Sequence, residues 1–490
     1  MKRFFWIGLI LCISQELYSQ MALGLVNGNY AGSAGALINP SSLANTRLKS
    51  DINLLSVNAF VENNYLYFPS RESSIIKLFN GAYDFHFFPK PYGQGDRRVY
   101  SYYQDKSPKN IYVNTRIMGP SIMFSCKDHV FAVRTGFRAM SSTRRLPYDL
   151  ANFFYYGMDF KPQHNVTYER DNYDMASMAW WELSFSYATV IKRSYTNHWS
   201  AGISVGPVFG NSGAYMTGGQ TKYIAYNDSI LNVEMLNAEF GVCLPLDYDD
   251  DDVNIFNSII RGAGWGMDLG VTWQYRKRPY QKKPLNDFYK KRFEDYKLKI
   301  GVSVLDIGWV NFNKNAERHG FDNVHNNWIE ADELRYENLR DELKVTSNLF
   351  YGDSNASIRA NSFRMYLPAS LSAQIDYHIT DNWFLNSTLI VPLVYKSPMI
   401  ERPVVFSLTP RFECRLLEIN IPVVLYDFKY PRIGLSVRLG GFTIGTDHLG
   451  SYFSSDDLTG ADIYISYKIN LCNDIKNPFT SKGACFSNWR

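Results

Sequence analysis

The sequence predicts an all-β protein, a transmembrane antiparallel β-barrel of about 14 strands with long loops that contain helices. Three observations predict this fold. Apolar and polar residues alternate along segments of about ten residues, with aromatic residues at the segment ends. Aromatic residues make up 16% of the chain and charged residues only 20%. The N-terminus has the pattern of an export signal.

The clearest strand covers residues 265–275, WGMDLGVTWQY. Every second residue is apolar, and the residues between them are Gly, Asp, Gly, Thr and Gln, so the strand has one apolar and one polar face. Ten residues tilted by ~40° climb roughly 25 Å, the height of the apolar band of an outer-membrane barrel. Residues 181–191, 371–379 and 383–395 alternate in the same way, and Thr380-Asp381-Asn382 predicts a hairpin turn between the last two.

Similar patterns predict the remaining strands. They cover residues 51–68, 112–126, 129–142, 198–216, a stretch within 221–243, 296–312, 404–415, 416–427, 432–446 and 461–470. Gly440-Gly441 and Asn227-Asp228-Ser229 are each compatible with a hairpin turn inside one of these segments. The parity of the strand count therefore stays open, and with it the side of the membrane that each loop faces.

A soluble secreted sandwich or propeller is the alternative, because its strands also alternate. Such a protein buries one strand face in a dry core, where charged side chains are costly. Several long segments carry charged or amide side chains opposite the apolar face, as a barrel lumen does. These candidate lumen-facing residues are Arg134, Arg138, Asp268, Gln374 and Asp376. The two arginines could select an acidic ligand or pair with Asp268 or Asp376 across the lumen.

Residues 1–20 predict a signal peptide. Lys2 and Arg3 precede an apolar run from Phe4 to Ile13, and a short polar region follows. After this signal no apolar stretch approaches the roughly 18 residues of a spanning helix, so a membrane location requires a barrel. The expected location is the outer membrane of a Gram-negative bacterium. The net charge of +4 indicates no nucleic-acid partner.

Residues 202–206, GISVG, match the pattern of a serine-hydrolase elbow, which needs a strand, a sharp turn and a helix. Pro207 follows and the alternation continues on both sides, so Ser204 is interpreted as a lumen-facing strand residue. We therefore expect a protein that is not an enzyme, and no His or Cys spacing indicates a metal or another cofactor. The acidic run 247–252, DYDDDD, leaves Ca²⁺ binding and simple solvation both open.

Two further predictions concern the segments outside the strands. The long connections 69–111, 143–177, 276–295 and 313–362 contain helix-like cores, among them YDLANFFYYG at 148–157 and residues 329–344, and are expected to cap the barrel mouth. Near the C-terminus, Cys472 and Cys485 bracket a short polar stretch and are a candidate disulfide pair.

Four short stretches resemble the FadL-like superfamily of outer-membrane barrels, the long-chain fatty-acid transporter group. They are NGNYAGSAGALINPSSLAN at 27–45, GWGMDLGVTWQY at 264–275, LGGFTIGTDHLGS at 439–451 and ADIYISYKIN at 461–470. More narrowly, the chain resembles an uncharacterised branch near the PorV- and PorP-type barrels of type IX secretion.

The resemblance implies a hatch, an N-terminal segment that folds into the lumen and carries an Asn-Pro-Ala motif. Asn39 and Pro40 match the motif, and Ser41 replaces the alanine. The implied organisation is a signal peptide at 1–20, a hatch at 21–50, a barrel with long loops at 51–470 and a periplasmic tail at 471–490.

Two functions follow from the resemblance. The first is a passive transporter or ligand-binding channel for hydrophobic or amphipathic small molecules. The alternative is a non-enzymatic accessory subunit of an outer-membrane secretion or assembly complex. The expected partners are outer-membrane lipid and either a hydrophobic ligand or such machinery.

Overall fold

The computed structural model describes residues 22–69, 75, 101–251, 259–276, 295–331, 336–453 and 457–472. Nearly all of its strands belong to one antiparallel sheet. The strands are β1 (Leu48–Asn63), β2 (Leu66–Tyr67), β3 (Ser101–Tyr102), β4 (Lys109–Met118), β5 (Ser121–Cys126), β6 (His129–Leu146), β7 (Thr167–Arg170), β8 (Tyr173–Arg193), β9 (Asn197–Ala225), β10 (Leu231–Cys243), β11 (Gly262–Arg276), β12 (Tyr296–Phe312), β13 (Glu317–Trp328), β14 (Ile358–Ala360), β15 (Phe363–Tyr366), β16 (Ser370–His378), β17 (Trp383–Pro392), β18 (Val405–Glu413), β19 (Leu417–Asn420), β20 (Val423–Tyr426), β21 (Lys429–Ile433), β22 (Leu435–Leu439), β23 (Phe442–Thr446) and β24 (Gly460–Cys472).

The sheet closes into a barrel because β1 pairs with β24 on one side and with β4 and β5 on the other. Four pairs of short strands, β4/β5, β15/β16, β19/β20 and β21/β22, each act as one barrel strand. Counted in this way, the barrel has 14 antiparallel strands. The predicted fold class is confirmed.

Proline explains most of these interruptions. Pro120, Pro368 and Pro422 lie between the halves of three interrupted strands, and Gly434 lies in the fourth gap. Proline has no N–H to donate to the neighbouring strand, so regular pairing stops at that residue.

The predicted and observed strand numbers agree, but the strands counted differ at two places that cancel each other. Residues 432–446 were predicted as one strand but form parts of two barrel strands, because Gly440, at φ +61°, and Gly441 form a hairpin turn between β22 and β23. The stretch within 221–243 was counted as a barrel strand, but β10 pairs with β9 and β13 in an extension of the barrel wall.

The two ends of the barrel differ. Where β1 begins and β24 ends, the turns at 127–128, 194–196, 379–382, 414–416 and 440–441 are short. We call this the turn end and the opposite end the loop end. At the loop end the 29-residue strand β9 continues past β11 and pairs with β7 and β10.

The helices lie in the N-terminal segment and in the loops. The α-helices are α1 (Leu23–Val26), α2 (Tyr148–Tyr156) and α3 (Leu339–Tyr351), and 3₁₀-helices cover Gly32–Leu37, Pro40–Asn45, Gly157–Asp159, Lys161–Gln163 and Leu449–Tyr452. Gly157, at φ +69°, ends α2. In the described ranges, no helix is both long and apolar enough to cross a membrane.

The two faces of the barrel wall differ as the alternation predicts. Trp181, Phe185, Trp265, Val271 and Ile375 point outward and are 42–56% exposed. The residues between them point into the barrel and are largely buried. Large apolar side chains therefore surround the outside of the barrel, whereas the charged and amide side chains of these strands lie on the inner face.

Candidate functional site

The N-terminal segment, residues 22–47, lies inside the barrel at the turn end. Its short helices are almost completely buried, and Ala34, Ala36 and Leu43 have no exposed surface. Small residues such as Gly32 and Gly35 keep the segment narrow. The segment thus occupies the position that the FadL-like resemblance implies for a hatch.

The predicted Asn39-Pro40-Ser41 motif lies directly against the barrel wall. The Asn39 side chain caps the following 3₁₀-helix by accepting hydrogen bonds from the Ser41 N–H (3.0 Å) and the Ser41 Oγ (2.6 Å). Its amide donates to Gln374 Oε1 at 3.0 Å. Ser41 Oγ also lies 2.6 Å from Thr272 Oγ1. The hydroxyl of Ser41 therefore makes contacts that the alanine of the resembled motif lacks.

Three wall glycines make this close approach possible. A Cβ atom at Gly202 would lie 2.5 Å from the Pro40 carbonyl carbon, and one at Gly301 would lie 2.7 Å from the Asn39 amide nitrogen. Gly270 faces Asn39 in the same way. Gly202 and Gly270 are direct cross-strand partners on β9 and β11. The three glycines form a shallow depression in which the motif lies.

Polar wall side chains hold the backbone of the N-terminal segment on the opposite side of the barrel. Lys468 Nζ donates to the carbonyls of Tyr30 and Ala31, both at 2.9 Å. Arg411 Nη1 donates to the Asn27 carbonyl at 3.0 Å. On the acceptor side, Asp51 binds Ser33 and Glu413 binds Asn29. These wall residues belong to β1, β18 and β24, so strands at several positions around the barrel bind the N-terminal segment.

The five predicted lumen-facing residues all lie on the inner face, in two groups. Gln374 and Asp376 belong to the wall around the N-terminal segment. The Asp376 carboxylate lies 2.9 Å from Arg411 Nη2 and accepts a hydrogen bond from the Tyr296 hydroxyl at 2.7 Å. Lys299 Nζ is 3.3 Å from the same carboxylate.

Arg134, Arg138 and Asp268 belong to a second group, nearer the loop end. Arg138 binds both carboxylate oxygens of Asp306, at 2.6 and 3.1 Å, and stacks on the Trp180 ring. Arg134 is 3.8 Å from Asp268, one of the two carboxylates predicted as a partner. Arg402 also pairs with Asp306, so this carboxylate is the centre of the group.

Sequence patterns missed Asp306 for a structural reason. A β-bulge in the pairing of β11 with β12 shifts the register between Met267 and Leu269, and Asp306 adopts φ +54°. The bulge changes the face on which the following side chains lie. A strict period of two along β12 therefore gave no signal for this residue.

Strand β9 gives the order of the layers from the turn end to the loop end. Ser200 and Gly202 contact the N-terminal segment, and Ser204 lies 3.3 Å from Arg134 in the charged group. Next, Val208 joins an apolar layer that fills the lumen. Thr217 then borders a polar vestibule of about 700 Å³ at the loop end.

The apolar layer closes the lumen between the vestibule and the charged group. Trp180, Phe312 and Met365 are fully buried in it. An inner loop, residues 397–402, folds inward between β17 and β18 and contributes the fully buried Ile400. Its neighbours Glu401 and Arg402 form ion pairs with Arg144 and Asp306. Passage through the lumen therefore requires this layer to move.

The vestibule is strongly charged. Arg145, Asp174, Glu239, Arg318 and Arg359 all border it. Arg145 lies 3.7 Å from Asp174, and Glu239 accepts a hydrogen bond from the Tyr215 hydroxyl at 2.6 Å. A molecule that entered the barrel along its axis would meet these charges first.

A separate apolar cavity lies on the outer face of the same wall. Strands β6 and β8 pair without a register shift from His129–Thr189 to Arg144–Asp174. The outward face that carries Trp181 and Phe185 therefore continues to Tyr173 and Met175, which line the cavity. The cavity measures about 200 Å³.

Helices α2 and α3 cover this cavity from outside. Leu150 and Phe154 of α2 and Phe350 of α3 line it, together with outward residues of β8, β9, β10 and β13. The prediction that the loops cap the barrel mouth is wrong for these two helices, because their apolar faces pack against the outside of the extended wall. A further helix-like core is predicted at residues 73–81, SSIIKLFNG, and apart from Ile75 it lies outside the described residues.

Two serines have environments that argue against a hydrolase site. Ser204 lies on the inner face of β9, 2.8 Å from Ser186 Oγ, with no helix following it. Ser357 Oγ lies 2.9 Å from His319 Nδ1, and Glu317 lies 3.3 Å from the other ring nitrogen. Ser357 has no exposed surface, so this group fastens β13 to the chain after α3.

The first part of the acidic run 247–252 lies within the described residues and contacts the start of α3. Asp251 accepts a hydrogen bond from the Leu339 N–H at the start of α3, and Asp249 lies 3.5 Å from Arg340. Three or more potential metal ligands do not come together anywhere in the described ranges.

Cys126 and Cys243 are free thiols, and Cys414 is disulfide-bonded. The side chains of the Cys472–Cys485 candidate pair lie outside the described residues, and this pairing stays a prediction.

A family comparison matches residues 40–447 to the family of unknown function DUF5723. The chain belongs to this family. No curated protein matches it. The inner-wall glycines, the charged group and the cavity walls all lie within the matched residues.

Several solved structures are similar to the chain at low sequence identity. The toluene transporter TbuX of Ralstonia pickettii has a TM-score of 0.40 and 10% identity, covering 94% of this chain and 100% of that one. The toluene transporter TodX of P. putida has a TM-score of 0.37 and 9% identity, covering 90% and 95%.

A FadL homologue of Pseudomonas aeruginosa has a TM-score of 0.30 and 10% identity, covering 93% of this chain and 98% of that one. The narrower PorV and PorP branch stays a prediction. TM-scores of this size carry no weight for function, so any function proposed for the chain has to rest on its own contacts.

Proposed function

We propose that this chain is an outer-membrane channel that binds small hydrophobic molecules near the loop end and lets them pass through the barrel when the apolar layer and the N-terminal segment both move. The observation that carries the proposal is the apolar cavity beneath α2 and α3. Binding cavities for small molecules are typically concave and mostly apolar, with few polar groups.

The barrel geometry supports a location in the outer membrane. Apolar side chains surround its outer face. The start of β1, the end of β24 and the short turns all lie at the same end of the barrel. Barrels of this kind place their termini and short turns in the periplasm and their long loops outside the cell. The cavity would then lie on the extracellular side, where an incoming molecule arrives first.

The interior supports a gated channel and not an open pore. The N-terminal segment is held by hydrogen bonds to side chains on several strands, such as those from Asn39 to Gln374 and from Lys468 to Tyr30. Hydrogen bonds of this kind each contribute about 1 kcal/mol, so they can be exchanged when the segment moves. No covalent step is needed for binding or passage.

The alternative, an accessory subunit of a secretion or assembly complex, would need an apolar docking surface on the loops. Leu150 and Phe154 of α2 and Leu339 and Leu343 of α3 are instead buried against the wall. Among the described residues, no contact favours this alternative over the channel.

Binding of ethylbenzene to the purified full-length protein in detergent tests the proposal. We expect saturable binding, measured by isothermal titration or by quenching of tryptophan fluorescence. Ala214 lines the cavity from β9, and Ala214→Phe should abolish binding by filling it. Ala201→Phe, on the lipid-facing part of the same strand, is the matched control and should bind like the wild type. Saturable binding that survives Ala214→Phe, or none in the wild type, would contradict the proposal.

Opening of the barrel is tested separately by ion conductance in planar lipid bilayers, because ethylbenzene crosses lipid without a channel. Protein lacking both residues 22–47 and the inner loop 397–402 should conduct ions better than protein lacking the inner loop alone, because the N-terminal segment also closes the lumen. Equal conductance of the two proteins would exclude the N-terminal segment as a gate.

A further inference from the structure

We infer that the cavity beneath α2 and α3 recognises an uncharged hydrophobic molecule that carries a hydrogen-bond acceptor, such as a ketone or ester oxygen. This inference rests on the proposed function and specifies its ligand. Trp328 and Tyr223 supply the two hydrogen-bond donors, and the rest of the cavity supplies apolar contact.

Both donors are buried and lack a partner. Tyr223 is 4% exposed and Trp328 is 6% exposed, and both line the cavity. The Tyr223 hydroxyl and the Trp328 indole N–H make no hydrogen bond to any group of the described chain. A buried donor without an acceptor weakens the fold, and native proteins rarely leave one unsatisfied. A ligand acceptor in the cavity would satisfy these groups.

The two residues lie on the same face of the wall extension. Tyr223 of β9 is opposite Val233 of β10, and Trp328 of β13 is opposite Leu231 of the same strand. Val233 and Leu231 are two residues apart, so they point to the same side, and both line the cavity. One ligand lying over β10 would therefore contact both residues, and each donor atom, which has almost no accessible surface in this structure, would turn toward the ligand as it binds.

The polarity of the lining determines the charge of the ligand. The indole N–H can only donate a hydrogen bond, so it selects an acceptor. The other polar lining groups are hydroxyls, including those of Thr143, Thr221 and Thr346, and no Lys, Arg, Asp or Glu is among the residues that line the cavity. An ionised ligand would lose its hydration there without gaining a counter-charge. The lining therefore favours a neutral ligand.

The size of the cavity limits the ligand to about one substituted ring or a chain of similar bulk. A dry apolar cavity of about 150 Å³ accommodates benzene. The cavity here is about 200 Å³, which leaves space for a short substituent that carries the acceptor.

Two probes of the same shape test the inference. Acetophenone carries a carbonyl oxygen, and α-methylstyrene has a CH₂ group in its place. We expect the wild-type protein to bind acetophenone roughly two- to tenfold more tightly than α-methylstyrene, since one satisfied hydrogen bond accounts for a factor of that size. Affinities are measured by titration of the full-length protein in detergent.

Variants then assign the preference to the two donors. Trp328→Phe and Tyr223→Phe each remove one donor and keep the ring, so acetophenone affinity should fall toward that of α-methylstyrene. Trp180→Phe is the matched control, because Trp180 also has an unpartnered buried indole N–H but lies inside the lumen. This control should keep the wild-type preference.

The outcomes separate the two proposals. Equal binding of the two probes, or a preference that both cavity variants retain, overturns the acceptor inference while the hydrophobic binding site stands. A failure of both probes to bind, together with a failure of ethylbenzene, overturns the proposed function and this inference with it. Both variants should be at least as thermally stable as the wild type, because the substitution breaks no hydrogen bond and removes an unsatisfied buried donor. A stability loss shared by both would instead indicate a purely structural role.

Discussion

The fit between Gly202 and Pro40 leads to a prediction about the gate. In Gly202→Ala the new methyl carbon would lie 2.5 Å from the Pro40 carbonyl carbon and from the Ser41 nitrogen. Ordinary contacts of this kind begin at about 3.4 Å, so the overlap is about 1 Å. Because both clashing atoms belong to the backbone, the N-terminal segment has to shift as a unit.

A shift of this size breaks the hydrogen bonds that hold the motif. They are those between Ser41 and Thr272 at 2.6 Å, Asn45 and Ser200 at 2.8 Å, and Asn39 and Gln374 at 3.0 Å. At about 1 kcal/mol each, their loss amounts to about 3 kcal/mol. The equilibrium between the docked and displaced segment would then change on the order of 100-fold.

Hydrogen exchange followed by mass spectrometry measures this change directly. We expect faster exchange at residues 22–47 in Gly202→Ala and unchanged exchange in the barrel strands. Gly219→Ala is the matched control on the same strand, since its methyl group would lie 3.4 Å from the nearest atom. Wild-type exchange of the segment in Gly202→Ala, or the same increase in Gly219→Ala, would refute the reasoning.

Two further predictions concern ion pairs. Asp306→Asn leaves the buried Arg138 without its bidentate partner and should lower the free energy of unfolding by about 3–5 kcal/mol, seen as a lower melting temperature in detergent. Asp322→Asn removes an exposed ion pair with Arg359 and should change the free energy of unfolding by less than about 1 kcal/mol. Equal losses in the two variants would contradict this. Burial alone would raise the pKa of Glu317, but hydrogen bonds from His319 and Arg340 outweigh it and hold the pKa below its usual 4.5. This stabilisation is present above pH 4.5 and is lost as the pH falls through the lowered pKa. The protection of α3 amides from hydrogen exchange, corrected for the intrinsic pH dependence of the exchange rate, should therefore decrease in acid. Glu317→Gln, whose side chain does not titrate, should remove this decrease. A decrease that persists in Glu317→Gln would assign the effect to another group.

The loops show where local patterns were ambiguous. Residues 329–344 were predicted to form a helix, but α3 covers Leu339–Tyr351, and residues 317–328 form the strand β13. The sequence of β13, ERHGFDNVHNNW, is polar and does not alternate cleanly. It becomes a strand because β10 offers a free edge for pairing. That edge exists only in the folded protein.

The sequence by itself determined the barrel, because the alternation of apolar and polar residues is a local property of each strand and matches the two faces of a membrane wall. It also indicated the Asn39-Pro40-Ser41 motif and the five inner-face residues. Three features were decided only by the tertiary structure. Glycines on β9, β11 and β12 leave space for this motif, and a bulge places Asp306 in the charged group. The apolar cavity lies on the outer face of the wall. These features depend on which strands become neighbours and in which register, and residues far apart in the chain decide both.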